Sequence, residues 1–345
     1  MRLANLFTMP SFKSEDQAVG CVSMPASCPS TFAPKPSLHR RRPSGALILS
    51  LARRKARLLP LGGECMALYD TERQAWLQAA HTGGLGAFFE DIINAIYSAI
   101  LKPGDLAVDC GANCGYHTFP MSELVGPSGT VVAVEAIPDL AARLARRGPP
   151  NIDVKAVAIG AAAGRASFSV VRDDMGYSGL QQRPGLPADL AGSLDVIDVP
   201  VATLDSLLAD RRQLVRFVKM DLEGGEFHAL QGSTSILRDR PLVIFENGRE
   251  GAANLYGYTS KDWFSLFDTA DFAVFDLFGR PFCRNDWHTS GMPWYFIAAA
   301  RGSADERFVQ RRAHGLVRRL YWKKTIRRWL RPRTRIRTAI NAIRH

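Results

Sequence analysis

The chain has 345 residues, 46% of them apolar and 22% charged. That balance excludes wholesale disorder and a coiled coil, and no apolar run reaches the roughly 18 residues of a membrane-spanning helix. The formal net charge of +11 is unevenly placed: residues 1–57 carry 10 basic and 2 acidic side chains, residues 301–345 carry 15 and 2, and residues 58–300 carry 19 and 29. An acidic body between two basic ends does not itself attract a polyanion. The Ser- and Pro-rich residues 1–57 predict a disordered basic tail, with a short basic helix at Ala46–Leu59, and the start lacks the apolar run of a secretory leader. Apolar residues at helical spacing, from Phe88 to Ile100, predict a helix over 87–100, ended by Pro103-Gly104.

Strands and helices then alternate. Leu106–Cys110, Thr130–Val134, Asp153–Ile159, Ala166–Val171, Val196–Val201, Val215–Met220 and Leu242–Phe245 are apolar runs of strand length. Tyr116–Val125, Leu140–Arg147, Phe227–Leu237 and Trp263–Thr269 have helical spacing. Phe272–Leu277 and Trp294–Ala299 finish the pattern as a hairpin-like edge. Such alternation implies a mostly parallel sheet with helices on both faces. Ligands of such sheets bind at the carboxyl ends of the strands, where Asp109, Glu135, Asp221 and Glu246 fall. Six cysteines without a CxxC pair read as reduced thiols; Cys110 and Cys114 lack the second Cys or His pair that a metal clip needs.

The segment from Ala107 to Tyr116 is a buried strand, a glycine-containing turn and a helix start. Its glycines permit positive φ and spare a ligand the Cβ. The turn is not GxGxxG: Asn113 stands at the second glycine position, and the last is lost. A dinucleotide pyrophosphate wants bare backbone at a helix N-terminus. An amide side chain and the acid Asp109 instead suit a ligand with a positively charged amino-acid end, such as S-adenosylmethionine (SAM). Glu135, at the end of the next strand, is placed to accept from two ribose hydroxyls. The competing reading is a tight βα turn beside a surface glutamate.

The segment from Phe217 to Gly232 puts Asp221, Glu223, Glu226 and His228 at a second strand-to-helix turn. Each has an ordinary structural use: Asp221 as a helix cap, Glu226 as a charge complementing the helix macrodipole, His228 as a plain helix residue.

Together VDCGANCGYHT and VKMDLEGGEFHALQG resemble the FkbM family of SAM-dependent methyltransferases, whose pattern is D-x-G-A-N-x-G-x-x-T followed by K-x-D-x-E-G-x-E. The resemblance covers about 86–300. It implies a Rossmann-like class I methyltransferase fold, with a seven-stranded, mostly parallel sheet and an antiparallel last strand, and methyl transfer to oxygen on sugar, glycolipid or polyketide-like acceptors. Carried over by position, Asp109, Gly111, Asn113, Gly115 and Glu135 would bind SAM; Ala112, Tyr116, Ala136 and Ala158 complete that set. Asp221 would orient the acceptor hydroxyl or act as base, with Glu223 and His228 behind it. Two features depart from the pattern: Cys110 and Cys114 replace small or aliphatic residues, and Pro120 falls early in a helix that it would bend.

Clustered carboxylates at Asp221 and Glu223 also offer a divalent cation a place, an option not favoured here, so no metal ligand is assigned. Residues 173–194, with Asp173, Asp174, Tyr177 and Ser178, suit a substrate lid. Residues 304–345 mix arginines with Trp322, Ile326 and Trp329 at helical spacing, which predicts a basic amphipathic helix on a membrane surface, broken at Pro332. The expected location is cytoplasmic, with peripheral contact at the inner face of the cell membrane. The expected partner is a small-molecule or glycan acceptor, and nucleic acid is disfavoured. Two rivals stay open: a non-catalytic protein of this fold that binds nucleic acid or membrane through its tails, and a methyltransferase acting on nitrogen or on protein.

Overall fold

In a computed structural model of the chain, the described residues are 63–81, 87–182 and 186–330. The tail expected at 1–57, the helix at Ala46–Leu59 and the break at Pro332 lie outside them. Of the described residues, 63–75 fall in one compact unit and those from Trp76 on in another.

Helix α1 (Gly63–His81) leads to α2 (Phe88–Ile100), whose seven large apolar side chains are all buried. Strand β1 (Leu106–Cys110) feeds α3 (Thr118–Val125), and β2 (Thr130–Val134) feeds α4 (Pro138–Arg147). β3 (Ile152–Lys155) and β4 (Ala158–Ile159) follow. A long hairpin comes next, β5 (Gly164–Val171) with β6 (Leu194–Ala202), then the short α5 (Leu204–Leu207). β7 (Val215–Met220) leads to α6 (Glu226–Gln231) and α7 (Thr234–Arg238), and β8 (Leu242–Glu246) to α8 (Glu250–Tyr256) and α9 (Ser260–Thr269). β9 (Phe272–Asp276), β10 (Tyr295–Ala300), α10 (Ala304–Phe308), a π turn at Val309–Ala313 and α11 (His314–Leu330) close the chain.

Seven strands make one sheet in the order β3-β2-β1-β7-β8-β10-β9. All neighbouring pairs are parallel except those of β10, which runs antiparallel to β8 and β9. This is the expected sheet with its antiparallel last strand. The connections leave β1 towards β2 on one side, while β7 sits on the other, so the strand order reverses between β1 and β7. A crevice at the carboxyl ends is expected there.

Four local expectations are corrected. Asp153–Ile159 is two strands: β3 joins the large sheet, and β4 pairs with β6 in a three-stranded sheet with β5. The helix expected from Tyr116 starts at Thr118, so Pro120 lies in the first turn, where its missing N–H has no intrahelical partner to lose and no bend is needed. The helix expected over Phe227–Leu237 is two helices, because the chain at Gly232 passes so close to the Gly160 carbonyl that a Cβ would lie 2.4 Å from it. The segment from 304 is not wholly a tail: Val309, Ala313 and Val317 are fully buried, in the same apolar cluster as α2. Their spacing of four turns one stripe of the basic helix inward.

Alternation along the strands sorts side chains to two faces. Leu106, Val108 and Cys110 pack in the cluster under α6 to α9, whereas Ala107 packs in the cluster under α2. Phe217, Leu242, Ile244, Tyr295 and Ile297 also point to the α2 side. By the same two-residue period Asp109, Lys219 and Glu246 lie on that side, each near the carboxyl end of its strand. Among the described residues no helix is long and apolar enough to cross a membrane.

Candidate functional site

The register brings the polar residues together before any loop contributes. Asp109 on β1 pairs directly with Lys219 on β7, and Glu246 on β8 pairs directly with Tyr295 on β10. Lys219 is buried and holds both flanking acids, with its Nζ 3.2 Å from Asp221 Oδ2 and 3.8 Å from Asp109 Oδ1. Burial alone would lower its pKa; the charges of Asp221, Asp109 and Glu90 outweigh that and raise it, so Lys219 is a permanent cation. Burial likewise pushes the Asp221 carboxyl up, but the Lys219 charge and the hydrogen bond from Tyr295 win and hold it below its usual value.

The network extends to α2. The Tyr295 hydroxyl lies 2.8 Å from Asp221 Oδ2 and 3.3 Å from Glu90 Oε1, and its single proton goes to the nearer acceptor. Glu90 Oε2 accepts from His117 Nε2 at 2.6 Å. With Nε2 carrying the proton, His117 Nδ1 accepts from the Tyr97 hydroxyl at 3.3 Å, and Tyr97 in turn accepts from Asn94 at 2.7 Å.

The first loop is built against the second. Gly111 has φ +77°, and a Cβ there would lie 1.9 Å from the Asp221 carbonyl oxygen. The missing side chain therefore makes room for the second loop's backbone. The two loops are tied by the Asp221 N–H donating to the Cys110 carbonyl at 3.0 Å. Gly115, at φ +92°, serves packing as well, since a Cβ would lie 2.5 Å from the Phe119 ring. Ala112 is buried with Ala133 and Leu144. Asn113 takes φ +48°, which asparagine tolerates better than most residues.

Glu135 is the buried acid at the end of β2. Its Oε2 accepts from the Asn113 N–H and its Oε1 from the Ile137 N–H, both at 2.8 Å. Burial raises its pKa against the pull of those two bonds. Each oxygen keeps a further lone pair for a ligand. Asp109 is 1% exposed; its Oδ2 accepts from Thr118 Oγ1 at 2.6 Å, while its buried Oδ1 has no hydrogen-bond partner. Buried acceptors are seldom left this way; the charge of Lys219, 3.8 Å from Oδ1, partly compensates. Ala136 follows Glu135 and is half-buried, and Ala158 is buried at the start of β4. Tyr116 is 53% exposed at the mouth of the loop.

In the second loop Glu223 adopts φ +55°, a strained conformation costing on the order of 1 kcal/mol. Glu226 caps the turn, accepting from the Leu222 N–H at 2.6 Å, and burial pushes its pKa up to about 7. The loop after β5 reaches over this turn: a Cβ on Gly179 would lie 3.4 Å from the Glu223 Cβ, and one on Gly176 3.8 Å from Glu223 Oε1. Asp174 and Ser178 brace that loop by accepting from the N–H groups of Gly176 and Val171.

His228 does not join the acids. It sits on α6 among aromatic rings, 5.9 Å from Tyr256 and 6.4 Å from Tyr258, with no hydrogen bond to Asp221 or Glu223 among the described residues. Burial lowers its pKa. The helix sets its ring against Tyr256, whose hydroxyl donates to the Glu223 carbonyl at 3.4 Å. Glu246 does join the acids: one carboxylate oxygen each of Asp221, Glu223 and Glu246 lie within 4.8 Å of one another. That spacing could hold a cation, but Asp221 Oδ2 already accepts from Lys219 and Tyr295.

The sequence reading passed over Lys219, Glu90, Tyr295 and the place of Glu246 in the cluster. Lys219 stood inside the quoted motif; its signal was a lysine in an apolar strand, one register step from an aspartate.

Residues 109–268 match the model of the methyltransferase FkbM domain. Over 58 residues the chain is 41% identical to protein-L-isoaspartate O-methyltransferase 2 of Archaeoglobus fulgidus, covering 16% of this chain and 26% of that protein. Over 47 residues it is 51% identical to the protein-L-isoaspartate O-methyltransferase of Methanothrix thermoacetophila, covering 14% and 22%. The matches thus span about a quarter of those relatives' length. Among solved structures, Aeropyrum pernix fibrillarin with natively bound SAM is similar at 12% identity and a TM-score of 0.34, over 61% of this chain and 74% of that one. Both loops of the site described above lie inside the stretch that matches the methyltransferase FkbM domain.

Proposed function

We propose that the chain is a SAM-dependent methyltransferase that methylates a hydroxyl oxygen of a sugar, glycolipid or polyketide-like acceptor. The observation that carries the cofactor is the buried Oδ1 of Asp109, which has the Lys219 ammonium 3.8 Å away but no hydrogen-bond partner. It lies on a loop whose neighbour, Glu135, keeps lone pairs free for hydroxyls. An ammonium group would satisfy the first and a ribose the second. The donor set therefore fits SAM, with Asp109, Asn113 and Glu135 as its holders and Tyr116 at the mouth.

When bound, SAM supplies an activated methyl group. The chain's own task is alignment of the acceptor. Asp221, held ionised by Lys219 and fixed by Tyr295, is a well-placed hydrogen-bond acceptor but a weak base. It orients the hydroxyl, and the proton passes to water or to a carboxylate of higher pKa. A second reading, methyl transfer to a protein carboxyl, rests on the names of the curated relatives.

Transfer of isotope-labelled methyl from SAM to a panel of glycans, glycolipids, hydroxylated polyketides and proteins tests both. Ether products stable to alkali are expected, with Asp221→Asn slowing turnover roughly 10²-fold or more. Label released by alkali as methanol, from protein acceptors only, would support the second reading instead. No transfer to any hydroxyl would count against the proposal.

A further inference from the structure

We infer that the outer face of α11 docks on an anionic lipid surface. This helix is fastened to the body on its other side. Val309, Ala313 and Val317 are buried with α2, Tyr321 meets Phe88 with ring centroids 6.3 Å apart, and Lys324 pairs with Asp91. Just ahead of it, Arg216 grips Asp305 through two bonds of 2.6 and 2.8 Å. The inner stripe is thus occupied, and the opposite face is held outward.

That opposite face has an unusual composition. Trp322 and Ile326, one turn apart, are 52% and 53% exposed, and they are two of only five large apolar side chains exposed among the described residues. Exposed Arg312, Arg319 and Lys323 flank them. From Val309 to the last residue the sequence holds 13 Lys and Arg and no Asp or Glu. A phosphate backbone would reward the cations but gain nothing from the isoleucine. A bilayer interface rewards both, taking the tryptophan and isoleucine below the headgroups while the cations stay among them. Each cation near such a surface adds to the attraction.

The placement also orients the body. Lys324 pairs with Asp91, the neighbour of Glu90, whose carboxylate belongs to the Asp221 network. The exposed turn therefore stands at the end of the body that carries the site, where a lipid-linked acceptor would arrive.

Co-sedimentation of the full chain with vesicles tests this, using phosphatidylcholine alone and phosphatidylcholine mixed equally with phosphatidylglycerol. The wild-type chain should bind the anionic vesicles at least about tenfold more tightly than the neutral ones. Arg319→Glu with Lys323→Glu, and separately Trp322→Glu with Ile326→Glu, should each weaken anionic binding about tenfold or more while the thermal midpoint stays unchanged. Equal binding by wild type and the Trp322/Ile326 variant would overturn the inference, as would no binding by the wild type. So would a lowered midpoint in that variant, which would make the pair core contacts. Displacement from vesicles by duplex RNA, with affinity for RNA that needs the arginines but not Trp322, would assign the face to nucleic acid and equally overturn it.

Discussion

Replacing Gly111 by alanine should abolish SAM binding and lower the unfolding free energy by about 3 kcal/mol or more. Two independent penalties meet at this position. The backbone is at φ +77°, and the new Cβ would fall 1.9 Å from the Asp221 carbonyl oxygen, less than any non-bonded contact allows. Because the obstacle is backbone, no rotamer change relieves it. The first loop must move away from the second, which breaks the bond from the Asp221 N–H to the Cys110 carbonyl and carries Asn113 off Glu135. Gly164→Ala is the control: nothing lies within 4 Å of a Cβ there, and its stability should stay within about 0.5 kcal/mol of wild type. Urea unfolding of both variants checks the contrast.

Lys219→Met should have an effect of similar size for an electrostatic reason. The methionine fills much of the same volume but leaves Asp109 and Asp221 buried without their cation, and removing one partner of a buried ion pair costs about 3–5 kcal/mol. The pH dependence gives the sign. In the wild type Asp221 has a depressed folded pKa, so its contribution is present above the unfolded carboxylate value of about 3.9 and lost as pH falls through the folded one. In the variant Asp221 loses that stabilisation and titrates higher, so the variant gains relative stability on acidification. The gap between the two proteins should be largest near pH 7 and narrow towards pH 5. Adding Asp109→Asn to the variant should recover part of the loss, since one uncompensated charge disappears. A gap that is flat with pH would remove the ion pair from the explanation.

The parts of the fold legible in the sequence were those set by local period. β1, β2, β7 and β8 are short apolar runs ending in or beside an acid, and each formed where its pattern indicated. The first two acids were recognisable because they follow strands in a parallel alternation. Tyr295 and Glu90 were not, because their roles depend on strand order: Tyr295 lies 74 residues beyond Asp221 and meets it only once β10 inserts beside β8. Glu90 looked like one charge at the start of an amphipathic helix, and nothing local says that α2 covers the carboxyl end of β7. For His228, nearness in sequence said nothing of its ring contacts, which the helical turn directs to Tyr256 and Tyr258. The basic C-terminal segment hid its buried stripe because three small apolar residues among eight cations barely change its composition.

The central claim is that the first loop and Glu135 hold SAM, and calorimetric titration of SAM into the full chain tests it most directly, with Glu135→Ala alongside. Glu135 contributes two oxygens, each with one lone pair already given to a backbone N–H, so its loss removes the ribose contacts while Asp109 remains. The account predicts micromolar binding by the wild type and at least about tenfold weaker binding by the variant, a difference of about 1.4 kcal/mol. No binding by the folded wild type, or equal binding by both proteins, would contradict it.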